Sequence, residues 1–367
     1  MVLLPTVSKE HAKVIRKLAL CTCLLLGAAM VAMGQSRQES LNKCGSVDPD
    51  AKITGCTALI QAGQDTTENL SVIYNNRGTA YDDKGDYDRA IQDFNEAIRL
   101  NPNAETAYYG RGYAYKKKGD YDRAIQDFNE AIHLNPNFER AYYDRGNAYI
   151  DKEDYDRAIQ EFDEAIRLNP KDAYAYNNRG VACERKNDYG HAIQNYNQAI
   201  LLNPNYTSAY SSRGFAYFAQ SNLTSAIADF EHTISAAPSS SSAVYAVLML
   251  HPIIKRQGHD DAQQLARAAA AADLSKWPGP VLKLDLGKMT ASEVMMAAAS
   301  SGSDKEKKWK VCEANYFTGE DALLHHQRTT ALARLKAARD GCPKGETDYG
   351  AALAELKRLG SAAVPNK

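Results

Sequence analysis

The chain says nearly the same thing five times at a fixed spacing. Between Ser71 and Ser240, prolines fall at Pro102, Pro136, Pro170, Pro204 and Pro238, and glycines at Gly78, Gly112, Gly146, Gly180 and Gly214. Both series step by 34 residues. A period of this size predicts a solenoid, because a unit of that length cannot hide its apolar side alone and must stack on its neighbours.

One unit explains the fold of all. Its first half, ETAYYGRGYAYKKKG, sets Tyr108, Gly112 and Tyr115 at helical spacing, and its second, YDRAIQDFNEAIHLNPN, sets Ala124, Ile125, Phe128 and Ala131 on one stripe. The pattern predicts two short amphipathic helices, separated at Gly-Asp and ended by Asn-Pro. Small residues recur where helices must approach closely, at the five glycines and at Ala90, Ala124, Ala158, Ala192 and Ala226. Rings alternate with them: Tyr74, Tyr108, Tyr142, Tyr176 and Tyr210 in the first helix, Phe94, Phe128, Phe162, Tyr196 and Phe230 in the second.

These residues resemble the tetratricopeptide repeat (TPR) family, whose order of ring, Gly, Tyr, Ala, Phe, Ala and Pro is kept in the units 71–104, 105–138, 139–172, 173–206 and 207–240. Cys183 departs from the second Tyr and Thr233 from the last Ala. The resemblance implies an all-α helix-turn-helix solenoid wound as a right-handed superhelix, with first helices lining a concave groove. The groove residues it implies are Asn75, Asn76, Tyr109, Arg140, Tyr143, Asn147, Asn177, Asn178 and Phe215. Asparagine amides suit an extended peptide backbone, and tyrosines offer rigid contact area. The family's two-carboxylate clamp for chaperone tails finds Asp144 where a basic residue is needed, which disfavours that ligand. An arginine precedes each glycine (Arg77, Arg111, Arg145, Arg179, Arg213), where the family more often has Leu. We expect these to pair with Asp93, Asp127, Glu161, Asn195 and Asp229 and to serve the fold; a phosphate-binding stripe is the sharper alternative.

Ahead of the array, residues 1–34 read as a secretory signal: Lys9, Lys13, Arg16 and Lys17 lead, Leu18 to Val31 is almost wholly apolar, and Ala32-Met33-Gly34 offers small residues for a peptidase. An uncleaved anchor over residues 18–34 is the alternative. Leu20 before Cys21 and Thr22 before Cys23 fit a lipidation signal poorly. Residues 35–70 are expected to hold one capping helix over the first repeat, with Ile53, Cys56 and Leu59 facing it. Cys44 and Cys56 are close enough for a short loop to join them, and Cys183 is expected as a buried free thiol.

After Pro238 the frame lapses. Residues 241–311 read as a degenerate helical pair, a break at Trp277-Pro278-Gly279-Pro280, a capping box opening at Thr290, and a charged exposed connector from Ser300 to Lys310. The frame returns over 312–345, where Gly319, Ala331, Leu335, Ala338 and Pro343 keep the offsets of Gly78, Ala90, Phe94, Ala97 and Pro102. In such a hairpin Cys312, opening the first helix, and Cys342, closing the second, are neighbours, and a bridge between them is expected. Residues 346–367 supply a last helix, with Leu353, Leu356 and Leu359 on one stripe, to cap the far end.

Composition narrows the function. Lys+Arg 44 against Asp+Glu 45 gives no pull toward nucleic acid, and without residues 1–34 the balance is 40 against 44. No phosphate loop, nucleophile elbow, Cys-x-x-Cys pair or metal-ligand spacing occurs, so no catalytic residue, metal or cofactor is expected. Adjacent His325 and His326 point about 100° apart on a helix and do not readily share a metal; His133 and His232 read as polar surface. A second resemblance lies near the C-terminal end: WPGPV with LGKMT, then EANYFTGEDALL, then DYGAALAELKRLG, is similar to bacterial periplasmic TPR lipoproteins that act as adaptors for peptidoglycan hydrolases and their processing protease. It implies an exported, non-enzymatic, periplasmic scaffold with protein partners among cell-envelope hydrolases or proteases, touching membrane only through an uncleaved N-terminal segment. A membrane-anchored assembly factor and an enzyme with an unrecognised site are the alternatives.

Overall fold

The computed structural model describes residues 34–342 and 347–360. The expected signal segment and the break at Pro343 lie outside the described residues. The chain divides into two compact units, Met1–Ala148 and Tyr149–Lys367. Every regular element among the described residues is a helix, and none of these is long and apolar enough to cross a membrane.

Unit 1 begins with residues 34–44 (α1) and continues through α2 (Pro49–Ala62), α3 (Thr67–Asp83), α4 (Tyr87–Leu100), α5 (Glu105–Lys117), α6 (Tyr121–Leu134) and the greater part of α7 (Glu139–Asp151). The N-terminal cap is therefore two helices, where the sequence suggested one. Asp48 caps α2 by accepting from the Asp50 and Ala51 amides. Gly55 brings α1 and α2 together, since a Cβ there would meet the Cys44 amide nitrogen at 2.5 Å. A Cys44–Cys56 disulfide joins the two helices, and Cys56 and Leu59 pack with Ile73 of α3. Charged residues on α1 hide its periodicity; its buried side is little more than Cys44.

Within a repeat, the glycine of the first helix admits the ring of the second. A Cβ on Gly78 would lie 2.9 Å from the Phe94 ring, and one on Gly112 3.0 Å from that of Phe128. The turn between the helices needs one residue in the left-handed region. Gly85 (φ 76°) and Gly119 (φ 79°) fill it in the first two repeats, and Glu153, Asn187 and Ser221 take φ of 61°, 61° and 62° at the same offset in the others. The chain is caught by paired hydrogen bonds that close a helix of this kind, as in Gly85 N–H to Asp82 O (2.8 Å) and Asp86 N–H to Tyr81 O (2.9 Å). Aspartate then caps the second helix: Asp86 and Asp120 accept from the amides of Arg89 and Arg123.

Unit 2 holds α8 (Tyr155–Leu168), α9 (Ala173–Arg185), α10 (Tyr189–Leu202), α11 (Thr207–Ala219) and α12 (Leu223–Ala236) in the same manner. There follow α13 (Ser241–Arg256), α14 (Ala262–Ala271), α15 (Gly279–Asp285), α16 (Ala291–Ser300), α17 (Asp304–Leu324), α18 (Arg328–Gly341) and α19 (Thr347–Arg358). A capping box opens α16 at Thr290, and a second, Ser303 with Glu306, opens α17. The charged stretch after Ser303 is thus helix, not connector, and Cys312 sits well inside α17 instead of opening it. Helices α17 and α18 pack with Gly319 against Leu335 as Gly78 packs against Phe94, and His326 takes the left-handed turn at φ 60°. A Cys312–Cys342 disulfide joins them. Helices α13 to α19 do not simply extend a stack: Val247, Leu248, Leu282, Val294, Tyr316, Leu335 and Leu356 share one core with Phe218 and Phe230 of the fifth repeat.

Candidate functional site

The arginine before each glycine is the joint between successive units. Arg111 donates from Nε and Nη2 to the two Asp127 oxygens at 2.8 and 2.7 Å, and from Nη1 to Asn95 Oδ1, 16 residues earlier, at 2.6 Å. Arg213 repeats this on Asp229 and Asn197, and Arg77 holds Asp93 and Thr57. Arg179 donates to Asn195 at 2.7 Å and pairs with Asp163. Each guanidinium also lies 5.3–5.6 Å from the ring three residues before it, from Tyr74 to Tyr210. Arg145 donates from Nη1 to Asn129 Oδ1 at 2.6 Å, and with guanidiniums committed to neighbouring side chains in this way the series serves the fold.

Among the implied groove residues of unit 1, Tyr109 is held by its own chain. Its hydroxyl donates to Asp144 Oδ2 at 2.7 Å, and its ring lies 4.9 Å from Phe138 and 5.8 Å from Phe128. Burial first and the Asp144 charge second push its hydroxyl well above the usual phenol range. Asp144 is buried and is also paired with Lys116, which explains the acidic residue in the position that a carboxylate clamp would need basic. Asn75, Asn76, Tyr143 and Asn147 are half-buried, and Arg140 is exposed. Asn75 Oδ1 is enclosed and has no hydrogen-bond partner among the described residues.

In unit 2, Asn177 is buried; its amide donates to Asn178 Oδ1 at 3.1 Å, while its own Oδ1 has no partner among the described residues. Phe215 packs edge-on against Phe230 at 5.1 Å and is half-buried. It borders a cleft of about 240 Å³ between α9, α11 and α13, walled by Val181, Glu184, Ser211, Ser212 and Tyr245. Two residues escaped the sequence reading. Val72 and Tyr174 are 58% and 55% exposed, and both stand at the offset that Arg140 holds in its own repeat. The signal that finds them is that shared offset, carried one residue past the start of each unit.

Groups suited to chemistry are mostly committed elsewhere. Cys183 is buried as a free thiol, and burial pushes it up to about 11, away from a reactive thiolate. His251 and Asp261 form a buried pair at 2.7 Å. His325 and His326 are exposed, and His326 is the turn residue; His133 is exposed and His232 stacks on Tyr210 at 3.8 Å. No group of three His, Cys, Asp or Glu with metal-binding geometry occurs among the described residues.

A profile described as tetratricopeptide repeat matches residues 75–137 and 143–200, and one described as TPR repeat matches 183–221. Those segments are similar to tetratricopeptide repeats. Among solved structures, a tetratricopeptide repeat protein from Parabacteroides merdae is 20% identical, with a TM-score of 0.52 over 76% of this chain and 99% of that one, a likeness of fold alone. The protein MamA is 27% identical over 44% of this chain and 94% of its own, with a TM-score of 0.42. YrrB, described as a TPR protein with an unusual peptide-binding site, is 22% identical over 52% and 95%, with a TM-score of 0.43. No curated protein sequence matches the chain. Repeats of this kind, joined through their arginines, run through parts of both units between residues 75 and 221, and their first helices carry the candidate surface.

Proposed function

We propose that the chain is a protein-interaction scaffold in which the first helices of each unit, taken by itself, present a surface that holds a polypeptide segment. The observation that carries this reading is the exposure of Val72 and Tyr174 at one repeat offset. Apolar and aromatic side chains left open at a repeated position, beside polar amides, are what an extended or helical guest needs: contact area at low entropic cost and backbone partners. The cleft beside Phe215 and Tyr245 offers a further seat of the same mixed character.

The finer reading is an exported adaptor. The basic-then-apolar character of residues 1–34 supports export, and the Cys44–Cys56 and Cys312–Cys342 bridges are compatible with an oxidising compartment. The motifs of the C-terminal part support a bacterial periplasmic site and partners among envelope hydrolases or proteases. A mature start near Gln35 would separate this from an anchored assembly factor, which predicts an intact N-terminus in the membrane fraction.

The test is photo-crosslinking in an envelope extract, with the crosslinking amino acid placed at Tyr174 or at Leu201, which is more open still but on a second helix. Adducts from position 174 that exceed those from 201, and that contain envelope proteins, are expected. Adducts from 201 alone would overturn the face, and adducts of ribosomal or cytosolic proteins alone would overturn export.

A further inference from the structure

The last helix lies on α18, as an end cap does, and on more than α18. Besides α18, it packs against α11 and α17. A Cβ placed on Gly350 would come 3.6 Å from the Ala219 Cβ and 2.3 Å from the Tyr189 hydroxyl oxygen. Ala219 and Phe218 close the first helix of the fifth repeat, and Phe218 shares a core with Ala351, Ala352 and Leu356. At the other edge Glu355 pairs with Arg256 of α13 at 2.9 Å. So α11 and α17, with α18 beside them and Arg256 of α13 at the edge, already hold a helix, and that helix belongs to the chain itself.

We propose that α19 is an intramolecular occupant of a helix-binding seat on α11 and α17, edged by Arg256 of α13, and that a partner segment of the same chemistry displaces it. The inference rests on the reading of the first helices as the binding face. The seat fixes the chemistry of the guest. Facing Tyr189 and Ala219 it favours glycine, since a Cβ there would have to push the Tyr189 hydroxyl aside, and along Phe218 it takes a stripe of small residues ending in one leucine, with an acid over Arg256. A guest is therefore an amphipathic helix with a Gly-Ala-Ala stripe, a leucine near its end and a carboxylate beside it.

Two features make α19 a replaceable occupant. Its fully buried apolar side chains are small, Ala351 and Ala352 with the single Leu356, while Tyr349 and Leu359 are only half-buried against the same core. Its docking also sets Glu355 near Glu320 around one guanidinium: Arg256 pairs with both, while Glu320 Oε1 is buried with no partner among the described residues. The seat therefore stays incompletely satisfied with α19 in place.

The probe is a fluorescein-labelled synthetic peptide with the sequence of residues 347–360, titrated into the full chain and followed by anisotropy. Gly350→Ala forces α19 against the Tyr189 hydroxyl, and is expected to tighten peptide binding at least ten-fold over wild type. Adding Tyr189→Phe removes the obstructing oxygen and should restore the wild-type value. A second protein pins the helix: Ala219→Cys with Gly350→Cys and Tyr189→Phe places two sulfurs on a Cβ separation suited to a disulfide. Its oxidised form should bind the peptide at least ten-fold more weakly than its reduced form. Equal affinity of the two forms would overturn the proposal. If the peptide binds no form while the crosslinker at Tyr174 still captures partners, the seat falls and the face reading stands.

Discussion

At the scale of single residues, the Arg-Asp joint is legible in the sequence because both members recur at a fixed offset in a fold with a fixed repeat. Its worth is not. Burial pushes the Asp127 carboxyl up by more than Arg111 pulls it down, so the intact pair contributes little net stability although breaking it is expensive. Asp127→Ala should destabilise the chain by about 3 kcal/mol, and Arg111→Met with Asp127→Leu by about 1 kcal/mol or less; urea melts of the two variants check this, and equal losses would contradict it. Asp82 gives a pH signature. Burial, then Asp83, push its carboxyl from 3.8 to about 6 against the pull of Lys117, and one of its oxygens is enclosed without a partner among the described residues. A raised acid favours the fold in its neutral form, so its contribution is present below pH 3.8 and is lost as pH rises through 6. Asp82→Asn should therefore stabilise the chain at pH 7, by less than about 1 kcal/mol once solvent screening is allowed for, and should gain nothing at pH 3.5. The difference between variant and wild type, measured at both pH values, tests the sign. Tyr109 was not legible as a packed residue, because its partner Asp144 lies 35 residues away on another helix.

Elements were most readable where one residue dictates the backbone. Asn-Pro stops and aspartate caps mark the repeat helices directly. The turns are less so: glycine marks two of them, Asn187 and His326 are residue types that tolerate the left-handed conformation, and Glu153 and Ser221 adopt it with no compositional sign. Helix α17 was cut short in the sequence because seven residues rich in lysine and glutamate look like a connector, although Ser303 and Glu306 spell the capping box that starts it. The cap α1–α2 was half missed because it is held by a disulfide and close approach at Gly55, not by an apolar stripe. By loop-closure reasoning the Cys312–Cys342 bridge, spanning 30 residues, stabilises by roughly 3–4 kcal/mol, and the Cys44–Cys56 bridge, spanning 12, by roughly 3 kcal/mol. Replacing each pair with alanine should lower the melting temperature in both cases, more for 312 and 342; calorimetry that finds no change in either would contradict the structural role of the bridges.

At the scale of the molecule, five repeats divide between two compact units, and in each the first helices keep side chains that the fold does not consume. The array itself is legible from the spacing of Gly and Pro. The gathering of α13 to α19 into one core is not, since it depends on contacts between segments as distant as Tyr245 and Glu313, 68 residues apart, for which no periodicity exists. The same folding back puts α19 on α11, where a sequence reading places only an end cap. Function then follows from which positions stay open, and Val72, Arg140 and Tyr174 are open at one common offset. The measurement that tests this most directly is calorimetric titration of a peptide selected from a random library on the full chain. The account predicts that Val72→Ser with Arg140→Ala, in unit 1, or Tyr174→Ser, in unit 2, weakens binding at least ten-fold while Leu201→Ser leaves it unchanged; affinity untouched by both changes and lost with Leu201→Ser would contradict it.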